Sequence, residues 1–223
     1  MKRIFKRPWY SLLRWAVRIM GLLFWRIRFF GTQNVPSSGP VLILGNHQSY
    51  LDPPIIGAGL GRQLCYVARD SLFDNRFFAW LIDSINVMPI KRGTADIGAM
   101  KMIIEKLNSG EAIVLFPEAT RSRDGNIAEI KPGFGLLAKR ARATVVPAVI
   151  DGAFEAWPRH KHLPGLGKIT VEYGKPIPPD HIRALSNEEF AAEITTILRQ
   201  MQSQLRTSLG KPPFPPAQIE AIS

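Results

Sequence analysis

Val41-Leu42-Ile43-Leu44-Gly45-Asn46-His47-Gln48-Ser49-Tyr50-Leu51-Asp52-Pro53-Pro54 is the stretch around which the chain is organised. Four apolar residues closed by a glycine read as a buried strand that ends at a site. The proline pair suits the first turn of a helix, where a missing N–H leaves nothing unpaired. His47 therefore lies at a strand-to-helix turn, with Asp52 in the first turn beyond it. On a continuous helix five positions would not share a face, but a turn lets the carboxylate reach the imidazole. A carboxylate on one ring nitrogen fixes the tautomer and leaves the other nitrogen as a base. Taken alone, His-x4-Asp is a weak motif, and a surface histidine near a helix N-terminus explains it as well.

Downstream, strands and helices alternate. Leu64–Ala68 reads as a strand, and Phe73, Phe77, Trp80 and Leu81 recur at helical spacing. Val87–Ile90 is a short apolar strand that ends in Lys91-Arg92-Gly93, after which Thr94 caps a helix to Leu107. Ala112–Phe116 is a buried strand delivering Pro117-Glu118-Ala119-Thr120-Arg121-Ser122. Lys131-Pro132-Gly133 opens a helix to Arg140. Thr144–Ile150 is a strand whose Pro147 predicts an edge position or an irregularity. Ile169–Tyr173 is a further strand. Ser186 and Glu189 form a capping box for a helix with a buried stripe from Phe190 to Leu205, stopped by Gly210 and Pro212.

This alternation predicts a single α/β domain over residues 32–210, with its motif core at 41–150, a mostly parallel central sheet and flanking helices. Residues 211–223 read as a loose proline-rich tail. Functional groups belong at the carboxyl ends of parallel strands. Three such ends carry polar chemistry: His47 with Asp52, Lys91 with Arg92, and Glu118 with Thr120 and Arg121. A histidine base beside cations suits transfer to a hydroxyl of a phosphorylated acceptor.

The 223 residues carry a net charge of +11, which implies an anionic partner: nucleic acid, acidic lipid or a phosphorylated substrate. One cysteine excludes an internal disulfide, and the four histidines show no zinc-type spacing around His47, so no metal is expected. Residues 1–31 form a distinct N-terminal segment. Lys2, Arg3, Lys6 and Arg7 precede a Trp- and Leu-rich run that Arg14, Arg18, Arg26 and Arg28 interrupt. It is too broken by charge to span a bilayer and lacks the cleavage site of a signal peptide. On a helical wheel Ser11, Arg14, Arg18, Gly21 and Arg28 gather on one side, with Arg26 at its margin, and most of the large apolar residues fall elsewhere, Trp25 excepted. That pattern predicts a helix lying in an anionic membrane interface, its arginines attracted to the lipid. A single helix through Phe30 is not required by the pattern, and two short helices or a strand late in the segment are also compatible with it.

With these blocks assembled, the sequence resembles the glycerolipid acyltransferases, of which lysophosphatidic acid acyltransferase is the central member. Asn46-His47-x4-Asp52 resembles their first block, and Ile90-Lys91-Arg92-Gly93 the second, which ends in an arginine. Phe116-Pro117-Glu118-Ala119-Thr120-Arg121-Ser122 resembles the third with Ala119 in place of a glycine, and Val145-Val146-Pro147 the fourth. The resemblance implies a glycerol-3-phosphate-acyltransferase-like fold and acyl transfer from acyl-CoA or acyl-carrier protein to a lysophospholipid hydroxyl, without a cofactor. It implies His47 as base, Asp52 as its orienting carboxylate, and Arg92 and Arg121 on the acceptor phosphate. Glu118 would position the glycerol hydroxyl or an arginine. Lys91 and Thr120 are further substrate-binding candidates. The enzyme would sit at the cytoplasmic face of the membrane, peripheral or monotopic. A basic binding module is the competing reading, but no RNA-binding aromatic signature or helix-turn-helix supports it. A serine hydrolase would need a nucleophile elbow, and none is present.

Overall fold

The strand of the opening stretch, β2 (Val41–Gly45), is fully buried and lies at the centre of a seven-stranded sheet. Its alternation splits the core: Leu42 and Leu44 face one layer, and Val41 and Ile43 the other. A strand buried on both faces must read as a continuous apolar run, which is how its sequence reads.

The computed structural model describes residues 3–90 and 97–214. Its elements run α1 (Arg3–Trp25), β1 (Arg28–Phe30), β2, α2 (Asp52–Ala58), β3 (Leu64–Arg69), α3 (Arg76–Ser84), β4 (Val87–Ile90) and α4 (Ile97–Asn108). There follow β5 (Ala112–Leu115), α5 (Gly133–Arg140), β6 (Thr144–Asp151), α6 (Ala153–Ala156), β7 (Thr170–Tyr173), α7 (Pro179–Ala184) and α8 (Asn187–Ser208). The strand order is β1-β7-β6-β2-β5-β3-β4. β6, β2, β5, β3 and β4 are parallel; β7 runs antiparallel to β6, and β1 is parallel to β7. Helices α4, α5, α7 and α8 contribute to the Leu42 layer, while α1, α2 and α6 contribute to the Val41 layer. The sheet is thus mostly parallel with helices on both faces, as the alternation predicts.

Of the alternatives for the end of the 1–31 segment, a late strand is the one present: β1 pairs Arg28 with Thr170 of β7. Of the two placements expected for Pro147, the irregularity is present and the edge is not. It lies in β6, between β7 and β2, and not at an edge. Val145 exchanges both backbone bonds with Ile177, so Pro147 presents its own backbone to that same side. There β7 has ended, and the N–H of Gly174 donates to the Pro147 carbonyl at 2.8 Å. The missing proline N–H therefore falls where the partner strand departs, and the ladder to β2 is undisturbed.

The capping box of α8 is complete, with Glu189 N–H on Ser186 Oγ and the Glu189 carboxylate on the Ser186 N–H. Residues 211–214 are fastened, not loose. Lys211 pairs with buried Asp151 at 2.5 Å, Arg206 Nε donates to the Pro212 carbonyl at 2.8 Å, and Phe214 covers the Arg206 guanidinium at 3.7 Å.

The arginines of α1 also depart from expectation. Arg14 donates to the carbonyls of Leu60 and Gly61, each at 2.8 Å, and Arg18 to that of Ala58. These carbonyls belong to the end of α2 and the turn beyond it, where a helix has unpaired acceptors and partial negative charge. Tyr10, Gly21 and Trp25, on the same side as the arginines, are buried. The outward face of α1 carries Leu12, Trp15, Ile19, Met20, Leu22, Leu23 and Phe24, all about half exposed or more. The polar stripe thus docks inward and the apolar stripe faces out. Among the described residues, no helix is long and apolar enough to cross a membrane.

Candidate active site

The loop between Gly45 and Asp52 is closed on one carboxylate oxygen. Asp52 Oδ2 accepts the backbone N–H groups of Gln48 and Ser49 at 2.6 Å each and lies 2.8 Å from His47 Nδ1. Asp52 is completely buried, whereas the His47 side chain retains 20% of its exposure. An ionised carboxylate only accepts, so the Nδ1 proton points at Asp52 and Nε2 is left as the acceptor nitrogen. The imidazole stacks on Phe116, with ring centres 4.4 Å apart. The predicted pairing of His47 with Asp52 is therefore present.

The turn after β5 grips the backbone of His47 from both sides. Glu118 Oε1 accepts the His47 N–H at 2.7 Å, and the Ser122 N–H donates to the His47 carbonyl at 2.7 Å. The other Glu118 oxygen accepts the Ala128 N–H at 3.2 Å. Glu118 was expected on a hydroxyl or an arginine; here both oxygens bind backbone, and no ion pair joins it to Arg121 among the described residues. Burial pushes its carboxyl up to about 7, although the two N–H groups pull the other way. Ser122 Oγ donates to Asp124 and accepts from the Gly125 N–H, which holds the turn closed.

Arg121 projects from this turn over the Tyr50 ring, with its guanidinium carbon 3.5 Å from the ring centre. Tyr50 in turn lies against Trp157, with ring centres 5.3 Å apart. Arg121 Nη1 is buried without a hydrogen-bond partner among the described residues. A buried guanidinium N–H left unpaired is unfavourable until an acceptor arrives, and the planar fork fits phosphate oxygens. Thr120 is exposed on the same turn. Lys91 and Arg92 lie outside the described residues; β4, which leads to them, ends at Ile90. β2, β5 and β4 are parallel, so their carboxyl ends share one side of the sheet.

Several supporting residues are not singled out by the sequence. The Asn46 amide bridges to β6, donating to the Ile150 carbonyl at 3.0 Å and accepting its N–H at 2.7 Å. Gln48 Nε2 and Gln202 Nε2 both donate to the Gly125 carbonyl, at 2.8 and 2.9 Å. Asn46 and Gln48 could be suspected from their place beside His47, but Gln202 on α8 has no sequence signal. No cluster of three or more metal-ligating side chains occurs among the described residues.

A family model described as Acyltransferase matches residues 26–151, more than half of the chain. A chloroplast 1-acyl-sn-glycerol-3-phosphate acyltransferase of Arabidopsis thaliana is 30% identical over 169 residues, which cover 74% of this chain and 47% of that protein. The chain thus spans about half the length of that relative. The 1-acyl-sn-glycerol-3-phosphate acyltransferase of Bacillus subtilis is 25% identical over 197 residues, covering 88% of this chain and 96% of that one. The crystal structure of a 1-acyl-sn-glycerophosphate acyltransferase from Thermotoga maritima shares the fold, with a TM-score of 0.77 at 24% identity over 90% of this chain and 82% of that one.

Proposed function

The chain belongs to the acyltransferase family, and from that membership we propose that it forms phosphatidic acid in phospholipid biosynthesis. It would move a fatty acyl group from acyl-CoA or acyl-carrier protein to the sn-2 hydroxyl of 1-acylglycerol 3-phosphate. The names of the Arabidopsis and Bacillus relatives support the acceptor. The observation that carries the chemistry is the His47–Asp52 pair, 2.8 Å apart, with its carboxylate pinned by two backbone N–H groups.

In this reading His47 Nε2 takes the proton of the acceptor hydroxyl as its oxygen attacks the thioester carbonyl. Asp52 holds the ring and stabilises the imidazolium. Collapse of the tetrahedral intermediate breaks the C–S bond, and the imidazolium returns its proton to the departing thiolate. Backbone N–H groups or Lys91 would stabilise the oxyanion. Arg121, steadied on Tyr50, and Arg92 would bind the acceptor phosphate, with Thr120 beside them. Glu118 acts through the backbone of His47, setting the height of the imidazole over the site. No cofactor beyond the acyl donor is required.

Acceptor and product are bilayer lipids, which a monotopic enzyme reaches from the surface. The outward apolar face of α1 supports that attachment, on the cytoplasmic leaflet where the donors are made.

The deciding experiment offers the purified protein lysophosphatidic acid, lysophosphatidylcholine and lysophosphatidylethanolamine with each donor, and follows thiol release and lipid product. Lysophosphatidic acid should be acylated fastest, and His47→Ala should lower that rate by roughly 10²–10⁴-fold while still unfolding cooperatively. Near-normal turnover by a folded His47→Ala protein would overturn the mechanism. Preference for a zwitterionic lysolipid would overturn the acceptor.

A further inference from the structure

The antiparallel edge of the sheet places a second surface element beside the site. β7 pairs Thr170 with Asp151 at the carboxyl end of β6, and β1 pairs Arg28 with Thr170. The end of α1 and the segment 157–168 therefore lie at the level of the strand ends that carry His47 and Arg121. Direct bonds hold them together. Trp25 Nε1 donates to the Gly165 carbonyl at 2.8 Å, and the Gly167 N–H to the Phe24 carbonyl at 3.3 Å. Trp157 fastens the other end of the segment, with its Nε1 on the Lys161 carbonyl at 3.0 Å and its ring against Tyr50.

Between these anchors the chain is Pro158-Arg-His-Lys-His-Leu-Pro-Gly-Leu-Gly-Lys168. Leu163 and Leu166 are each 79% exposed, more than any large apolar residue on α1. Arg159, His160, Lys161, His162 and Lys168 are exposed around them, and none is in an ion pair with an acidic side chain among the described residues. Exposed leucines gain nothing in water, and the end of α1 that is bonded to this segment exposes Leu22, Leu23 and Phe24 as well.

We propose that the 158–168 segment is a second membrane-contact element, which inserts Leu163 and Leu166 into an anionic bilayer while its basic side chains engage the lipid headgroups. The proposal rests on the reading of α1 as membrane-facing and adds an orientation to it. With α1 and this segment both seated, the Tyr50–Arg121 edge of the site faces the interface, so the lysolipid headgroup reaches Arg121 without its chain leaving the bilayer. Basic residues near such a surface attract anionic lipid over a Debye length, and small apolar tips hold by burial. An acidic carrier protein could also meet the basic side chains, but it offers no reason for two leucines at the tip.

The test uses the full chain with one introduced cysteine, Leu166→Cys or Leu23→Cys, carrying a polarity-sensitive dye. Native Cys65 is buried and its thiol is pushed up to about 12, so it stays unlabelled. With vesicles of phosphatidylcholine and phosphatidylglycerol in equal parts, both dyes should shift to the blue and be quenched by lipids carrying spin labels in the acyl chain. Reversing charge with Arg159→Glu and Lys161→Glu should weaken partitioning by roughly tenfold or more at low salt, with the difference shrinking at high salt. A shift at position 23 without one at 166 overturns this proposal and leaves α1 as the anchor. No shift at either position overturns both readings. Unchanged partitioning after charge reversal overturns the anionic-lipid assignment. A dye at 166 that responds to acyl-carrier protein but not to vesicles makes the segment a protein-docking site instead.

Discussion

Ala119 has φ +58°, a conformation in which a Cβ crowds the backbone at a cost of roughly 1–2 kcal/mol. Glycine would remove that strain, less the roughly 0.4–1 kcal/mol of extra chain freedom it gives the unfolded state. Ala119→Gly is therefore expected to raise the unfolding free energy by up to about 1.5 kcal/mol, read from the urea midpoint. A lower midpoint would mean that the methyl group makes contacts worth more than the strain. Glu118 yields a prediction in pH. Its carboxyl titrates near 7 in the fold against 4.5 when unperturbed, chiefly through burial, with Asp52 and Asp124 adding to the shift. Between those values the folded state keeps a proton that the unfolded chain has lost, so stability falls as pH rises across the window. The full effect is about 3 kcal/mol, absent below the window and complete above it. Glu118→Gln cannot ionise and should lose this decline, so its stability relative to the parent should improve from the acid to the neutral end of the window. Parallel stability–pH curves for the two proteins would show that Glu118 does not titrate there.

At the scale of an element, α2 is charged at both ends. Asp52 opens it, and the arginines of α1 close it on the carbonyls of Ala58, Leu60 and Gly61. Each such arrangement favours the helix dipole. Arg14→Ala with Arg18→Ala should lower stability by on the order of 2 kcal/mol, since charge-assisted bonds to carbonyls are lost. The salt-dependent part of vesicle binding should survive in the double variant. If that part vanishes while the unfolding midpoint holds, the arginines face lipid and not α2. The wheel separated the two stripes of α1 correctly but could not say which one faces the domain. Hydrophobicity along a helix carries no record of the bare carbonyls waiting on another element. For a related reason the sequence leaves edge and irregularity both open for Pro147: its tolerance depends on where β7 stops, and β7 begins and ends far downstream.

Over the whole molecule, the site is held from the opposite end of the chain. Asp151, completely buried at the end of β6, is paired with Arg206 of α8 and with Lys211, each at 2.5 Å. Arg206→Ala should cost on the order of 3 kcal/mol, because a buried carboxylate loses one of its two cations. Calorimetric or urea unfolding would read this loss, and a change within error would mean that Lys211 alone satisfies Asp151. Much of the domain and the heart of the site were legible because they are local. Four apolar residues make β2, and the His47–Asp52 pair closes within a single turn. Asp151, Arg206 and Gln202 were not legible, because each pairing joins residues far apart whose types are ordinary on a protein surface. The shared acceptor, the Gly125 carbonyl, brings this to a point: Gln48 reaches it from the His47 turn and Gln202 from α8, and the Phe214 ring packs where a Gly125 side chain would stand. Chains are made from the amino end, and their early parts begin to fold first. A growing chain can therefore set α1 and β2 long before α8 has emerged from the ribosome, yet its histidine turn still lacks the strut that α8 supplies. The histidine turn of the nascent protein would then stay unbraced until the carboxyl-terminal helix arrives to complete it.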